Sequence, residues 1–523
     1  MTTDTHAWAA AGPARTSPAP AGPAPAGPGP ASTGPASTAP LDPADWEDFR
    51  ALGKRMIDDV VDQLASLRDQ PVWQPVPAAT RAALSAGVPR TGTPLAEVYQ
   101  EFLAHVRPYP RGNSHPRFWG WVNGSGLPAG VYADLLASAM NATVGAGENA
   151  AMLVEEQVTG WLMQAFGWPA TGSGLLTSGS SMGHIVALGA ARVGAARVLG
   201  WDMRESGAVG GPRFTVFASA ETHHSVEKAL ELLGFGRRGY RCIPVDSAAR
   251  IDVRALRAAV SRSRRAGEHP LCVVGNVGTV NTGAVDPLGD LLSVARDEGL
   301  WLHLDGAFGA AGYLVPHLRT LLARQNEADS LTFDLHKWFY LPFDASVLLV
   351  RQAGTLEDAY RSGAGYTSRT DAGPAAHEVA FADRGIEQSR RFRALKVWFA
   401  LKTHGLESLA AAVAENVAQV QYLNKLIAGS PQLETVSTSP LNVTCFRYAW
   451  PGATPRELDQ ANREILGRLQ TSGAAMPSHT VLGGRFVIRV AHTNHRTLRS
   501  DFDLLIERIV SIGAQVAAEL TTR

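Results

Sequence analysis

An α/β fold, with a mostly parallel sheet covered by helices on both faces, is predicted for most of this chain. Three observations predict it. From about Gly174 onward, short apolar runs alternate with longer helical stretches: RFTVFAS, LCVVGNVG, LWLHLDGAFG, SLTFDLHKW and ASVLLVR. Polar residues gather where those runs end, and in such sheets ligands sit at the carboxyl ends of strands. Beyond Leu395 the pattern turns to long helices and then two more strand-like runs, NVTCFRYAW and RFVIRVAHT, which read as a smaller α+β part.

The parts follow in order. Residues 1–40 are expected to be disordered: the run PARTSPAPAGPAPAGPGPASTGPASTAP is nearly all Pro, Ala, Gly, Ser and Thr and offers no large apolar side chains to bury. They lack the apolar core of a signal peptide. Residues 41–127 form a helical segment: FRALGKRMIDDVVDQLASL carries apolar residues at helix spacing, and HPRFWGWVNGSGLP, rich in aromatics and glycine, reads as an ordered connection. Residues 128–395 hold the alternating strands and helices, and residues 396–523 the smaller part. The 523 residues suffice for more than one domain, and 45% hydrophobic with 18% charged is ordinary for a globular protein. Lys plus Arg and Asp plus Glu are both 48, so no basic excess points to nucleic acid or anionic membrane. No stretch is long and apolar enough to span a bilayer. Three cysteines without metal or disulfide spacing suggest no metal and a reducing, cytoplasmic setting.

Four strand ends carry the chemistry. In LLTSGSSMGHIVALGAAR a small-residue turn leads into a helix, so that Ser180 and Ser181 present backbone N–H groups to an anion or serve as an ordinary N-cap. In SAETHHSVEKAL, His223 and His224 follow a strand, either structurally or as a flat partner for a ring. In LWLHLDGAFGAAG, Asp305 ends a buried run and needs a turn cap or a cation, because a bare buried carboxylate is costly. In DSLTFDLHKWFYLPFDASVLLVR, Lys337 stands in an apolar setting, where burial would make it a nucleophile toward aldehydes, unless it snorkels to the surface. Phosphate turn, imidazole, carboxylate and lysine, in that order, match the needs of pyridoxal 5′-phosphate (PLP).

With these stretches and HPRFWGWV, ADSLTFDLHKW and SRRFRALKVWFALKTHG, the chain from about Leu41 onward resembles the group II PLP-dependent amino acid decarboxylases, closest to the aromatic-L-amino-acid decarboxylase branch. The resemblance implies a PLP-dependent transferase of fold type I: a large domain with a mostly parallel seven-stranded sheet, a small C-terminal α+β domain and a helical N-terminal segment. It implies a homodimer with the active site at the subunit interface. It also implies roles: Lys337 for the Schiff base, Asp305 for the pyridinium nitrogen, His223 stacked on the ring and Ala307 against it. Ser180, Ser181 and Ser330 would bind phosphate, with Thr279 and His336 beside the cofactor. Met182 and Asp334 depart from relatives that carry Glu or Gln and Asn there; since a carboxylate would repel the phosphate, Asp334 is expected to point away.

By the same resemblance, Tyr366, on a loop rich in Gly, Ser and Thr, would return the proton to Cα, with Tyr360 the lesser candidate. Tyr366 and His223 together favour simple decarboxylation of an L-amino acid to its amine and CO2 over oxidative conversion to an aldehyde. Trp119, Trp121, Val122 and Ser389 fall where the family lines its substrate pocket. An aromatic, neutral pocket favours a Trp, Tyr, Dopa or Phe type of substrate, whereas glutamate would need an arginine, for which Arg117 is the nearby candidate. A binding protein without turnover is the other class of reading, and the intact Lys, Asp, His and Tyr set argues against it.

Overall fold

The computed structural model describes residues 41–363, 372–373 and 380–522. The described residues fall into two units, divided between Asp59 and Val60. Of the first, the described part contains the start of the helix Trp46–Ala65, which buries none of its residues and leaves Trp46 and Phe49 exposed.

The second unit is built on two sheets. Among the described residues, twelve strands run in chain order: β1 (Phe118–Trp119), β2 (Ser173–Thr177), β3 (Phe214–Ser219), β4 (Tyr240–Ile243), β5 (His269–Asn276), β6 (Trp301–Asp305), β7 (Ser330–Phe333), β8 (Ser346–Val350), β9 (Leu433–Thr438), β10 (Val443–Tyr448), β11 (Met476–Leu482) and β12 (Arg485–Ala491). The large sheet has seven strands in the order β2-β8-β7-β6-β5-β3-β4. Only β8 runs against its neighbours β2 and β7; the other pairs are parallel. Strands β2, β3, β7 and β8 are buried along their whole length, as expected when helices cover both faces of a sheet.

The helices follow from local chemistry. Val253–Arg265 begins at Asp252, whose carboxylate accepts the N–H groups of Arg254 and Ala255 at 2.9 Å each. It ends in Arg262, Arg264 and Arg265, which complement the helix dipole, and it buries Leu256, Ala259 and Val260. The helix Ser180–Val198 lies against β5, β6, β7 and β8. Gly183 permits this approach, since a Cβ there would sit 2.3 Å from Thr332 Oγ1.

The small sheet has the order β1-β11-β12-β10-β9. Its outermost strand β1 comes from the N-terminal half, pairing in parallel with β11 so that Phe118 lies opposite Met476 and Trp119 opposite Pro477. Trp119 is thereby committed to the core of this sheet, fully buried and stacked on Phe502 at 4.7 Å between centroids. The long helix Ala394–Ala428 packs against β9 and β10 of the small sheet and against the helices Pro128–Met140 and Ala150–Ala165.

One buried ion pair fixes the start of the site. Arg390 donates to Glu155 Oε1 at 2.5 Å and to the carbonyls of Val144 and Leu176 at 2.7 and 2.6 Å. Glu155 Oε1 in turn accepts the Leu176 N–H at 3.1 Å, tying the end of β2 to the helix Ala150–Ala165. Both charged side chains are at most 2% exposed. Replacing Arg390 with alanine strands the Glu155 carboxylate in the core, and chemical denaturation should show a loss of about 3–5 kcal/mol. A loss under about 1 kcal/mol would mean that this pair does not hold β2.

Candidate active site

The carboxyl ends of β2, β3, β5, β6 and β7 converge. β6 places Asp305 in register with Asn276 of β5 and Thr332 of β7, two strand ends on either side of it. Next to them lies a cavity of about 230 Å³ whose lining includes Ser180, Ser181, His223, Asp305, Ala307 and Lys337. Two larger hollows, of about 650 and 570 Å³, lie elsewhere and contain no comparable set of reactive groups.

Lys337 sits in the turn after β7. The run that follows it is driven inward: Trp338, Phe339 and Tyr340 are fully buried. Trp338 Nε1 and the Tyr340 hydroxyl both donate to Asn416 Oδ1, at 3.1 and 2.8 Å. With its neighbours pinned, Lys337 projects into the cavity with a side chain 24% exposed. Gly124 packs against the same turn, where a Cβ would meet the Lys337 carbonyl at 2.4 Å. Lys337 is not in a purely apolar setting: its Nζ lies 2.7 Å from Asp334 Oδ2.

Asp334 does not point away from the phosphate turn. Its Oδ1 accepts the Ser180 N–H at 2.7 Å and the Ser180 hydroxyl at 2.9 Å, so it occupies the N-terminus of the helix Ser180–Val198. A helix N-terminus and an ammonium both attract a carboxylate, and here they hold Asp334 at the turn. Burial pushes Asp334 up, but Lys337 and His336 outweigh it and hold the carboxyl below the usual range.

Asp305 is 7% exposed. Burial raises its pKa, yet His184, the Ala307 N–H and Lys337 together bring it well below the usual carboxylate range. The Ala307 N–H donates to Oδ1 at 3.0 Å and His184 Nε2 stands 3.5 Å from Oδ2. His223 faces the cavity, with Nδ1 accepting the Ser225 N–H at 3.3 Å and lying 2.7 Å from Ser225 Oγ. Desolvation lowers its pKa to about 4, so near neutrality it presents an uncharged ring.

Of the expected pocket residues, Trp121 and Val122 line the cavity. Trp121 adopts a φ of 52°, in the left-handed region where a bulky residue is strained, and its ring lies under the Arg111 guanidinium at 3.7 Å. Ala307 also lines the cavity.

Several expected contacts are not made. Trp119 is in the small-sheet core, because β1 pairs with β11 there and ends at Trp119, while the left-handed φ of Trp121 breaks the extended chain and frees that ring from the strand's alternation. Ser389 is exposed and outside the lining, with its neighbour Arg390 turned inward onto Glu155. Thr279 spends its hydroxyl on Thr282 Oγ1 at 2.9 Å and the Ala284 N–H at 3.1 Å, leaving Gly278 and Val280 to face the cavity. Ser330 opens β7 and so sits at the opposite end of that strand, bonded to Trp301 Nε1 and His303 Nδ1 at 2.8 Å each. His336, by contrast, stays beside the phosphate turn: its Nδ1 accepts the Ala345 N–H at 3.2 Å, its ring lies against Phe343 and its Nε2 stands 3.8 Å from Asp334 Oδ2. Tyr360 donates its hydroxyl to the Val186 carbonyl at 2.8 Å. Tyr366 lies outside the described residues.

Three residues went unseen in the sequence. Phe308, just after the Asp305 turn, forms part of the cavity wall. His184 lies one turn into the phosphate-turn helix. Arg489 is 3% exposed and donates to the Trp121 carbonyl at 2.8 Å and the Asn281 carbonyl at 3.0 Å, while its Nη2 has no hydrogen-bond partner among the described residues. The signal for Arg489 was an arginine inside the apolar run RFVIRVA.

This set fits PLP. The helix N-terminus with Ser181, joined by Ser180 once its donors leave Asp334, would suit a phosphate, Asp305 is an anion suited to a protonated ring nitrogen, His223 is flat and uncharged, and Lys337 is the one amine in the lining among the described residues. Comparison with known proteins agrees. Residues 77–449 match the profile of the pyridoxal-dependent decarboxylase conserved domain. The chain is 31% identical over 479 residues to the aromatic-L-amino-acid decarboxylase of Bacillus atrophaeus, covering 90% of this chain and 96% of the relative. It is 28% identical to a phenylacetaldehyde synthase of Arabidopsis thaliana, covering 86% and 93%. Among solved structures, Oryza sativa TDC with PLP and tryptamine superposes with a TM-score of 0.84 at 28% identity, over 91% of this chain and 99% of that one. The chain therefore belongs to the pyridoxal-dependent decarboxylase family and is a fold type I, PLP-dependent amino acid decarboxylase.

Proposed function

We propose that this enzyme decarboxylates an aromatic L-amino acid, of the Trp, Tyr, Dopa or Phe type, to its amine and CO2. The observation that carries the substrate class is the cavity wall. Trp121, Val122 and Phe308 supply apolar and aromatic surface, and Lys337 is the only Lys or Arg in the lining. Among the described residues, an acidic substrate side chain would find no second cation in that lining; Arg489 stands behind it, and we assign it to the α-carboxylate that every amino acid carries. Arg117 is outside the lining, its Nη2 3.5 Å from the Arg68 carbonyl.

Roles follow from position. Lys337 would hold the cofactor by its aldehyde carbon, Ser180 and Ser181 its phosphate, and Asp305 its ring nitrogen. When bound, PLP supplies the electron-withdrawing ring that takes up the electron pair of the breaking Cα–carboxylate bond. Asp305 would keep a proton on the ring nitrogen, and His223 and Ala307, both in the lining, would pack against the ring and exclude water. Arg489, buried behind Trp121 with a free Nη2, is placed to receive the substrate carboxylate. Tyr366 is our candidate for protonating Cα.

The apolar residues exposed along the helices Trp46–Ala65 and Pro128–Met140, among them Trp46, Phe49, Leu135, Leu136 and Met140, support a homodimer. Light scattering should report twice the 55.6 kDa chain mass. The free cysteines Cys242, Cys272 and Cys445 support a cytoplasmic location.

Two experiments test the reading. The PLP-loaded enzyme is given L-Trp, 5-hydroxy-L-Trp, L-Tyr, L-Dopa, L-Phe and L-Glu, with amine, aldehyde, CO2 and oxygen followed together. Amine and CO2 without oxygen uptake from an aromatic substrate is the expected result. Aldehyde with oxygen consumption would replace the reading with that of an aldehyde synthase, and turnover of glutamate alone would sink the aromatic pocket. In the second experiment, Arg489→Gln should lower kcat/KM by roughly ten- to a hundredfold while PLP stays bound, the loss expected for a hydrogen bond to a charged group. An unchanged kcat/KM would remove Arg489 from substrate binding.

A further inference from the structure

Behind Asp305 a line of hydrogen-bonding groups crosses the interior of the large sheet. Trp301 Nε1 is 2.8 Å from Ser330 Oγ, Ser330 Oγ is 2.8 Å from His303 Nδ1, and His303 Nε2 is 2.9 Å from His184 Nδ1. His184 Nε2 ends the line 3.5 Å from Asp305 Oδ2. Ser330, His303 and His184 are fully buried, and His184 Nε2 makes no hydrogen bond among the described residues. A buried N–H must be paired, and Asp305 is the acceptor it faces.

The direction of the line is set by its far end. An indole N–H only donates, so Ser330 accepts from Trp301. The Ser330 hydrogen then needs an acceptor, and His303 Nδ1 is the one within reach. Burial lowers the pKa of His303 to about 3, so it carries one ring proton, which must be on Nε2. That proton is given to His184 Nδ1. The nitrogen of His184 left to bear a proton is Nε2, the one turned to Asp305. Every donor in the line thus points toward the carboxylate.

We propose that His184 is a positioning residue for the cofactor, with Ser330 and His303 as its supports. Together they fix one His184 tautomer, which orients the Asp305 carboxylate and keeps it anionic toward the ring nitrogen of PLP. This role rests on the assignment of Asp305 to that nitrogen. Asp305 Oδ1 is already held by the Ala307 N–H, so the His184 N–H restrains the other oxygen and stops the carboxylate from rotating. Ser330, which does not reach the cavity, acquires a function at the site it does not touch.

The test compares PLP with 1-deaza-PLP, in which carbon replaces the ring nitrogen. Wild-type, His184→Ala and Ser330→Ala apoproteins are titrated with each by fluorescence, and folding is checked by circular dichroism. His184→Ala should weaken PLP binding about tenfold, the effect of losing one charge-assisted hydrogen bond, and change 1-deaza-PLP binding by less than about twofold. Ser330→Ala should show the same selectivity at about threefold, and it decides the matter if His184→Ala does not fold. Equal weakening of both ligands would reduce His184 to a wall of the cavity and overturn the proposal, as would no change in either. A wild-type protein that binds both ligands equally would instead overturn the role of Asp305, and the proposal with it.

Discussion

Two carboxylates must stay ionised inside the protein at the carboxyl edge of a parallel sheet, and the site depends on how that is achieved. Asp305 and Asp334 are both nearly inaccessible, and burial alone would protonate them. Neither has an arginine. Asp334 is held by Lys337 and by the N–H and hydroxyl of Ser180, Asp305 by the Ala307 N–H, His184 and Lys337. One lysine therefore serves two anions, and the remaining compensation comes from dipoles. Dipoles fixed by a folded backbone cost nothing to reorganise when charge moves, which is what a site that shifts an electron pair requires.

That economy demands rigidity. The polar groups sit on strand ends and one helix start, whose positions are set by the sheet register, and Lys337 is locked by the burial of the three residues after it. Asn416 joins this lock to the small sheet. Its Oδ1 accepts from Trp338 and Tyr340, and its Nδ2 donates to the Asn494 carbonyl at 3.0 Å. Arg489 of β12 reaches from the small sheet to the carbonyl of Trp121. The small sheet thus braces the cavity wall from behind, through the Trp121 carbonyl.

Much of this was readable in the residues, and what escaped has physical causes. Alternating apolar runs located β3, β5, β6, β7, β8, β10 and β12, and the strand-end rule put Asp305 and Lys337 at one edge. Strands β9 (LETVST) and β11 (MPSHTVL) are half polar and partly exposed, so no hydrophobic period marked them. Trp119 and Trp121 are indistinguishable by composition, and only the pairing of β1 with β11 shows that one enters a core and the other a cavity. Ser330 was four residues from Asp334 in a strand, hence at the far end of it, a separation that the resemblance did not take into account. Repulsion from an anion alone points Asp334 the wrong way, because Lys337 and the helix N-terminus hold it in place. His184 could not be singled out, since its importance lies in His303 and Asp305, more than a hundred residues away in sequence.

The central claim is that these strand ends assemble around PLP with Lys337 as its anchor. The most direct test is to reduce the PLP-loaded enzyme with borohydride, digest it and map the modified peptide by mass spectrometry. A pyridoxyl group on Lys337, within the fragment that contains DLHKW, is the result the account predicts. A pyridoxyl group on another lysine, or none on the protein after loading, would contradict it.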